Sequence, residues 1–279
     1  MNNARELDKR WKEELKGFKY NIKHKTNDEK KAYWNEEAEN YDTRMFQDNR
    51  RIVAVRDVLE AQGYLNKNVS VLEVGCGTGL YAMDLSEYTK SVTAIDFSEK
   101  MGEVLLKKAE KSDINNIVFK KMDWLEIDLH KKGLYKAFDI ALSALNPSMS
   151  SLEALNKLCD VSKGACVIVT FSGKIENNVR KHLGNKGILN LGQDVEWSGY
   201  VIEILRELGY NPKVVDTKME WVKEDKEQNA VQRIVKEYAH LNVSNIEDII
   251  SSYVKENLTE NGTFKEHNVS PLAVIYWEV

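Results

Sequence analysis

From Val69 onward the chain alternates short β-branched or apolar runs with amphipathic stretches, and few architectures satisfy that rhythm. The runs are Ser70 to Val74, Val92 to Ile95, Ile117 to Phe119, Phe138 to Leu142 and Ala165 to Phe171. The clearest intervening helix is Ser98 to Lys111, with Ser98 at its N-cap and Met101, Val104, Leu105 and Ala109 as its buried stripe. Strands alternating with helices wind a parallel sheet covered on both faces. The expected fold class is therefore α/β, doubly wound and mostly parallel.

Ahead of this region, residues 1–31 carry ten Lys or Arg against six Asp or Glu, with almost no periodic apolar face. That pattern predicts a solvated helix or a partly disordered basic arm. Trp34, Ala38 and Tyr41 then recur at i, i+4 and i+7, and Ile52, Val55, Val58 and Leu59 repeat the pattern up to Gly63, so two amphipathic helices are expected. Later, Val201, Ile204, Leu205 and Leu208 form a stripe closed by Gly209. Strands are expected at Lys213 to Trp221 and Leu272 to Trp277, with a polar helical insert at about 224–259 between them. The expected division is an arm with lid helices over 1–48 and one sheet domain over 49–279.

Composition narrows the function classes. Lys plus Arg number 40 and Asp plus Glu 44, for a net charge of −4, which argues against a general nucleic-acid binder. No apolar run approaches the ~18 residues of a membrane span, and the first twenty residues lack an apolar signal core. A cytoplasmic setting is expected. Cys76, Cys159 and Cys166 lack Cys-x-x-Cys spacing, and no two of the five histidines stand at i, i+4, so neither a disulfide framework nor a metal centre is expected.

The segment Val71-Leu-Glu-Val-Gly-Cys-Gly-Thr-Gly79 runs a strand directly into glycines and then into a helix at Leu80. Glycines permit φ > 0 and remove Cβ atoms, so a nucleotide-type ligand is expected to approach the backbone N–H groups at the helix N-terminus. A dehydrogenase fingerprint puts its third small residue at position 80. Leucine stands there, and Gly79 comes one residue early, which disfavours a nicotinamide dinucleotide. Val92-Thr-Ala-Ile-Asp96 ends a strand on a carboxylate able to accept from two neighbouring ribose hydroxyls. Phe97 beside it suits either the flank of an adenine or the core.

The Glu-x-Gly-x-Gly-x-Gly pattern followed by Asp96 resembles motif I and its sequel in the class I S-adenosylmethionine-dependent methyltransferases, over roughly residues 31–221. The resemblance implies a Rossmann-like, seven-stranded sheet with an antiparallel last strand, S-adenosylmethionine as cofactor and S-adenosylhomocysteine as product. It implies cofactor contacts at Gly75, Cys76, Gly77 and Gly79 in the loop, at Glu73 for the methionine ammonium and at Asp96 for the ribose. Phe97 and Met101 join that set. Asp123 in Phe119-Lys-Lys-Met-Asp123-Trp124 matches the family's adenine-amino acceptor, with Trp124 beside it, and a solvated turn aspartate is the alternative. Phe138-Asp-Ile-Ala-Leu-Ser-Ala-Leu-Asn-Pro147 resembles motif IV, which places Ser143 and Ala144 beside the methyl group. Its Asn146-Pro147 continues as Ser148-Met149 rather than Pro-Tyr, and that departure counts against a nucleic-acid base or glutamine acceptor.

The helix carrying Trp34 and Tyr41 resembles the N-terminal lid of ubiquinone- and menaquinone-type methyltransferases, which groups Tyr33, Trp34, Tyr41 and Asn146 around the acceptor. Plain packing of an amphipathic helix is the alternative. The implied activity is transfer of a sulfonium methyl group to a small-molecule acceptor by in-line displacement. A protein or RNA acceptor docked on the basic arm, or a non-catalytic cofactor-binding protein, are the rivals. A thiolate, amine or stabilised carbanion needs no general base. For a phenol or a neutral carbon acid the candidates are Tyr33 and His182, with a solvated surface role the alternative for His182.

Overall fold

The computed structural model describes residues 2–16, 26–45, 48–189 and 196–279. Part of the expected basic arm, residues 17–25, and positions 46–47 at the end of the expected lid segment lie outside the described residues. The chain divides into two compact units, Met1–Gly173 with Val195–Lys218 and Pro271–Val279, and Lys174–Asp194 with Met219–Ser270.

In the first unit, β1 (Ser70–Val74), β2 (Ser91–Asp96), β3 (Ile117–Lys121), β4 (Phe138–Ala144) and β5 (Ser162–Phe171) lie parallel in the order β3-β2-β1-β4-β5. Residues 272–278 of β8 (Thr263–Glu278) close this sheet antiparallel against β5, and β7 (Lys213–Lys226) pairs with β8. The seven expected strands are thus found among the described residues. An eighth, β6 (Glu176–Asn177), is a two-residue strand on Asn268 and Val269 in the second unit.

Strand order reverses between β1 and β4, so right-handed crossovers send the helices of the two halves to opposite faces. On one side α4 (Leu80–Ser86) and α5 (Glu99–Lys111) connect β1 to β2 and β2 to β3. On the other, α6 (Leu152–Val161) connects β4 to β5. Ligands bind outside the carboxyl ends of strands at such a reversal. Here that point lies where Glu73 and Val74 pair with Leu142 and Ser143.

The N-terminal segment departs from its expectation. Residues 2–15 form α1 (Asn2–Leu15), whose Ala4, Leu7, Trp11 and Leu15 are buried. Trp11 is fully buried, stacked on Tyr200 at 5.7 Å and edge-on to Trp197 of α8 (Trp197–Glu207) at 6.2 Å. Its spacing of one apolar residue per turn is too sparse to stand out among the charges, yet it suffices for packing. A second helix, α2 (Asn27–Met45), starts with a reciprocal cap: Thr26 N–H donates to Glu29, and Glu29 N–H donates to Thr26 Oγ1. The third, α3 (Arg50–Ala61), buries Val55, Val58 and Leu59 as its periodicity predicts.

The second unit gathers α7 (Asn178–Asn185), α9 (Glu227–Tyr238) and α10 (Ile246–Glu256) around Leu183, Ile234, Ile250, Val254 and Phe264. Its interior also holds a polar knot. The Glu266 carboxylate, 3% exposed, accepts from Asn177 Nδ2 at 2.7 Å and from Arg233, which also reaches Asp225. Among the described residues no helix is long and apolar enough to cross a membrane.

Candidate cofactor cleft

The loop between β1 and α4 turns through three glycines in the left-handed region, Gly75 at φ 71°, Gly77 at 52° and Gly79 at 83°. Each lacks a side chain for its own reason. A Cβ on Gly75 would press on the Asn146 amide, and one on Gly79 would collide with Leu105 of α5, whereas one on Gly77 would only touch Tyr41 at 3.7 Å. Only Gly77 therefore leaves its Cβ direction to the cleft.

Four N–H groups of the loop are spent within the fold. Gly75 and Cys76 N–H both donate to the Ile95 carbonyl at 2.8 and 3.0 Å, extending the sheet, and Gly79 N–H donates to the Cys76 carbonyl at 2.9 Å. Gly77 N–H donates to Asp96 Oδ2 at 2.9 Å. These four donors are already used, so at Gly75, Cys76, Gly77 and Gly79 the loop presents backbone surface rather than available N–H groups.

Asp96 ends β2 and is 8% exposed. Its Oδ1 accepts Ser98 N–H at 2.8 Å and its Oδ2 accepts Gly77 N–H, and with Phe97 N–H as a third donor the carboxylate keeps acceptor capacity for about one more. Burial pushes its carboxyl up, and the N–H donors from Ser98, Gly77 and Phe97 oppose that. Glu73 lies beneath the loop, where its carboxyl group accepts Ala82 N–H at the start of α4 while Oε2 has no partner among the described residues. Burial raises its pKa to about 8.

Asp96 and Gly77 line a cleft with Gly75, Phe97 and Met101, and α2 forms its opposite wall through Trp34 and Tyr41. The Trp34 and Tyr41 rings meet edge-on at 5.9 Å. Two polar clamps that sequence reasoning missed hold α2 down. Asp42 accepts from Thr78 Oγ1 in the glycine loop and from Lys108 Nζ at 2.9 Å. Ser98 Oγ donates to Asn35 at 2.7 Å while capping α5 through Met101 N–H.

The β4 end closes the cleft through Ala144, Leu145, Asn146 and Pro147. Leu145 sits at φ 48°, an uncommon conformation for a branched residue, and its N–H donates to the Val169 carbonyl at 2.8 Å. Asn146 Nδ2 donates to the Val74 carbonyl at 3.1 Å and to Ser143 Oγ at 3.2 Å, and Oδ1 accepts Ser148 N–H at 2.9 Å. The whole amide is committed to holding β4 and β1 together.

Beyond Trp34, Phe97 and Pro147 the cleft adjoins a cavity of about 670 Å³, which Asp123 also lines. The other expected residues sit apart from these walls. Cys76, Gly79 and Ser143 are buried behind the loop, Ser143 donating to the Val74 carbonyl at 2.9 Å. Trp124, 3% exposed, belongs to the core that includes Trp11 and Leu155. Tyr33 packs edge-on to Trp34 at 5.1 Å. His182 belongs to the second unit, stacked on Tyr253 at 4.1 Å, where burial and Lys186 lower its pKa.

The chain is 30% identical over 147 residues to a ribosomal protein L11 methyltransferase of Thermotoga neapolitana, covering 50% of this chain and 52% of that one. It spans about half the length of the curated relatives it matches. Among solved structures it is similar to a putative methyltransferase from Bacillus halodurans, with 16% identity, a TM-score of 0.49 and coverage of 80% and 97% of the two chains. It is also similar to magnesium protoporphyrin IX methyltransferase of Synechocystis with bound S-adenosylhomocysteine, at 15% identity, a TM-score of 0.45 and coverage of 80% and 81%. A family model described as a methyltransferase domain matches residues 65–237. Since that match takes in more than half of the chain, from the first strand of the sheet past the end of β4, the chain belongs to the methyltransferase domain family, whose cofactor is S-adenosylmethionine.

Proposed function

We propose that the chain transfers a methyl group from S-adenosylmethionine to a small-molecule acceptor. The observation that supports this most is that the cleft above Asp96 and Gly77 shares Trp34, Phe97 and Pro147 with a neighbouring cavity of about 670 Å³, within the roughly 300–1,000 Å³ typical of small-molecule sites. When bound, the cofactor supplies a sulfonium methyl carbon, to which an acceptor lone pair forms the new bond as the carbon–sulfur pair returns to sulfur.

The protein's part is placement. Asp96 holds a ribose diol with the acceptor capacity its backbone donors leave free, and Gly77 lets that sugar approach the main chain. Phe97 and Met101 flank the adenine, and Asp123 accepts from its amino group. Glu73 supplies a counter-charge under the loop, because a cationic ammonium above it favours the carboxylate form. Trp34 and Tyr41 cover the site and exclude water. As α2 stands, the cleft measures about 50 Å³, so the helix must move to admit a nucleoside. A cytoplasmic setting is part of the same proposal, supported by the three free cysteines.

A protein acceptor is the second reading, supported by the similarity to the ribosomal protein L11 methyltransferase. Two measurements test the proposal. Calorimetry with S-adenosylhomocysteine should show binding that Asp96→Ala weakens at least tenfold. Incubation with methyl-labelled cofactor and cell extract should put label in the ultrafiltrate, and label confined to protein would establish the second reading instead.

A further inference from the structure

We infer that the acceptor is an anion, a small molecule with an apolar body and at least one carboxylate or phosphate group; the inference rests on the proposed methyl transfer. The cavity beside the cleft has two kinds of wall. Trp34, Phe97 and Pro147, which it shares with the cleft, are joined by Leu15 and Leu125 as an apolar surface. Four lysines line it as well, Lys12 of α1, Lys16 one residue past its end, and Lys30 and Lys31 of α2.

Two carboxylates share that wall, Asp123 and Glu153, and Glu153 is paired with Lys157 at 3.2 Å. Among the described residues that line the cavity, lysines thus outnumber carboxylates four to two, in a chain whose net charge is −4. Lys12 pairs with Asp8 at 2.6 Å, Lys16 with Glu13 at 2.6 Å, and Lys31 with Asp123 at a loose 3.9 Å. The first two lysine side chains are 54% and 72% exposed. Exposed pairs of this kind contribute little to stability, so an incoming anion can take over their ammonium donors at little cost.

Ser148 adds a hydroxyl to the same wall, which suits the oxygens of a carboxylate or phosphate, whereas the Ser150 hydroxyl donates to the Pro147 carbonyl at 2.7 Å. An acceptor seated this way has its charge at the lysines and its opposite end at Trp34, Phe97 and Pro147, on the border of the cofactor cleft. A cationic acceptor would meet four like charges there, and a neutral one would gain nothing from them. Methyl transfer within such a complex forms one bond from the acceptor atom to the methyl carbon and breaks the carbon–sulfur bond, with any acceptor proton passing to solvent.

The test uses the full chain, methyl-labelled S-adenosylmethionine and a small-molecule cell extract. The labelled ultrafiltrate is passed over an anion-exchange resin before and after phosphatase treatment. Label retained by the resin is expected, and its release by phosphatase assigns a phosphate where persistence assigns a carboxylate. The variant Lys12→Gln/Lys16→Gln/Lys30→Gln should raise the acceptor concentration for half-maximal labelling at least tenfold while its affinity for S-adenosylhomocysteine, measured by calorimetry, stays within twofold. That binding also reports folding, and Lys16→Gln alone serves if the triple variant does not fold. Label in the unretained fraction, label only in macromolecules, no label in the extract, or a variant that labels like the parent would overturn the inference. With cofactor binding intact, any of the first three results leaves the cleft assignment standing, whereas loss of cofactor binding by the parent chain sinks both.

Discussion

The Asn146 amide stands where a side chain on Gly75 would go: a Cβ there would lie 2.5 Å from Asn146 Nδ2. Gly75→Ala should therefore cost more than backbone strain alone. Gly63 supplies the comparison, since its φ is 75° and nothing lies within 4 Å of its Cβ direction. In urea denaturation Gly63→Ala should cost about 1 kcal/mol and Gly75→Ala at least twice that, with loss of S-adenosylhomocysteine binding. Equal costs would mean that Asn146 yields freely.

Asp42 joins α2 to the glycine loop through Thr78 and to α5 through Lys108. If this clamp must open for a nucleoside to enter, Asp42→Ala should speed association of S-adenosylhomocysteine roughly tenfold, the worth of one charge-assisted hydrogen bond. Stopped-flow tryptophan fluorescence would show it. An unchanged association rate would show that α2 does not gate the cleft.

Glu73 couples the fold to pH. Its carboxyl titrates near 8 in the folded chain, through burial, and in the usual carboxylate range once unfolded. Between those values the native state holds a proton that the unfolded chain has released, so stability from this group is complete at low pH and is lost as pH rises toward 8. Glu73→Gln, which keeps a neutral acceptor for Ala82 N–H, should flatten that slope and be the more stable protein at pH 8. The same substitution should remove any gain in S-adenosylhomocysteine affinity between pH 6 and 8. Parallel denaturation curves for the two proteins across this range would contradict the assignment.

Trp11 offers the sharpest test of α1. A solvated arm would tolerate its loss, whereas a fully buried indole against Trp197 and Tyr200 should cost about 3–5 kcal/mol on truncation. Chemical denaturation of Trp11→Ala decides between the two.

Legibility in the sequence followed the range of the interactions involved. The strands β1, β2, β4 and β5 stand out because they are buried on both faces and read as apolar runs. The first half of β8 does not. It alternates inward and outward faithfully, but its inward residues after Phe264 are Glu266, Asn268 and Ser270, so the alternation is invisible to hydropathy. In the cleft, the glycine loop and Asp96 were legible because spacing along the chain carries their geometry. Asp42 with Thr78, Asn35 with Ser98, and Asn146 with Val74 join positions 36, 63 and 72 residues apart, and no local pattern announces such partners.

The interleaving of the two units sets an order of events during synthesis. Residues 272–278, which cover the open edge of β5, leave the ribosome after every residue of the second unit. Until then β5 exposes unpaired backbone along Ala165 to Phe171, the kind of edge that recruits neighbouring strands. A nascent chain stalled before Leu272 should accordingly need a chaperone, while the glycine loop, assembled from strands made much earlier, has long been in place.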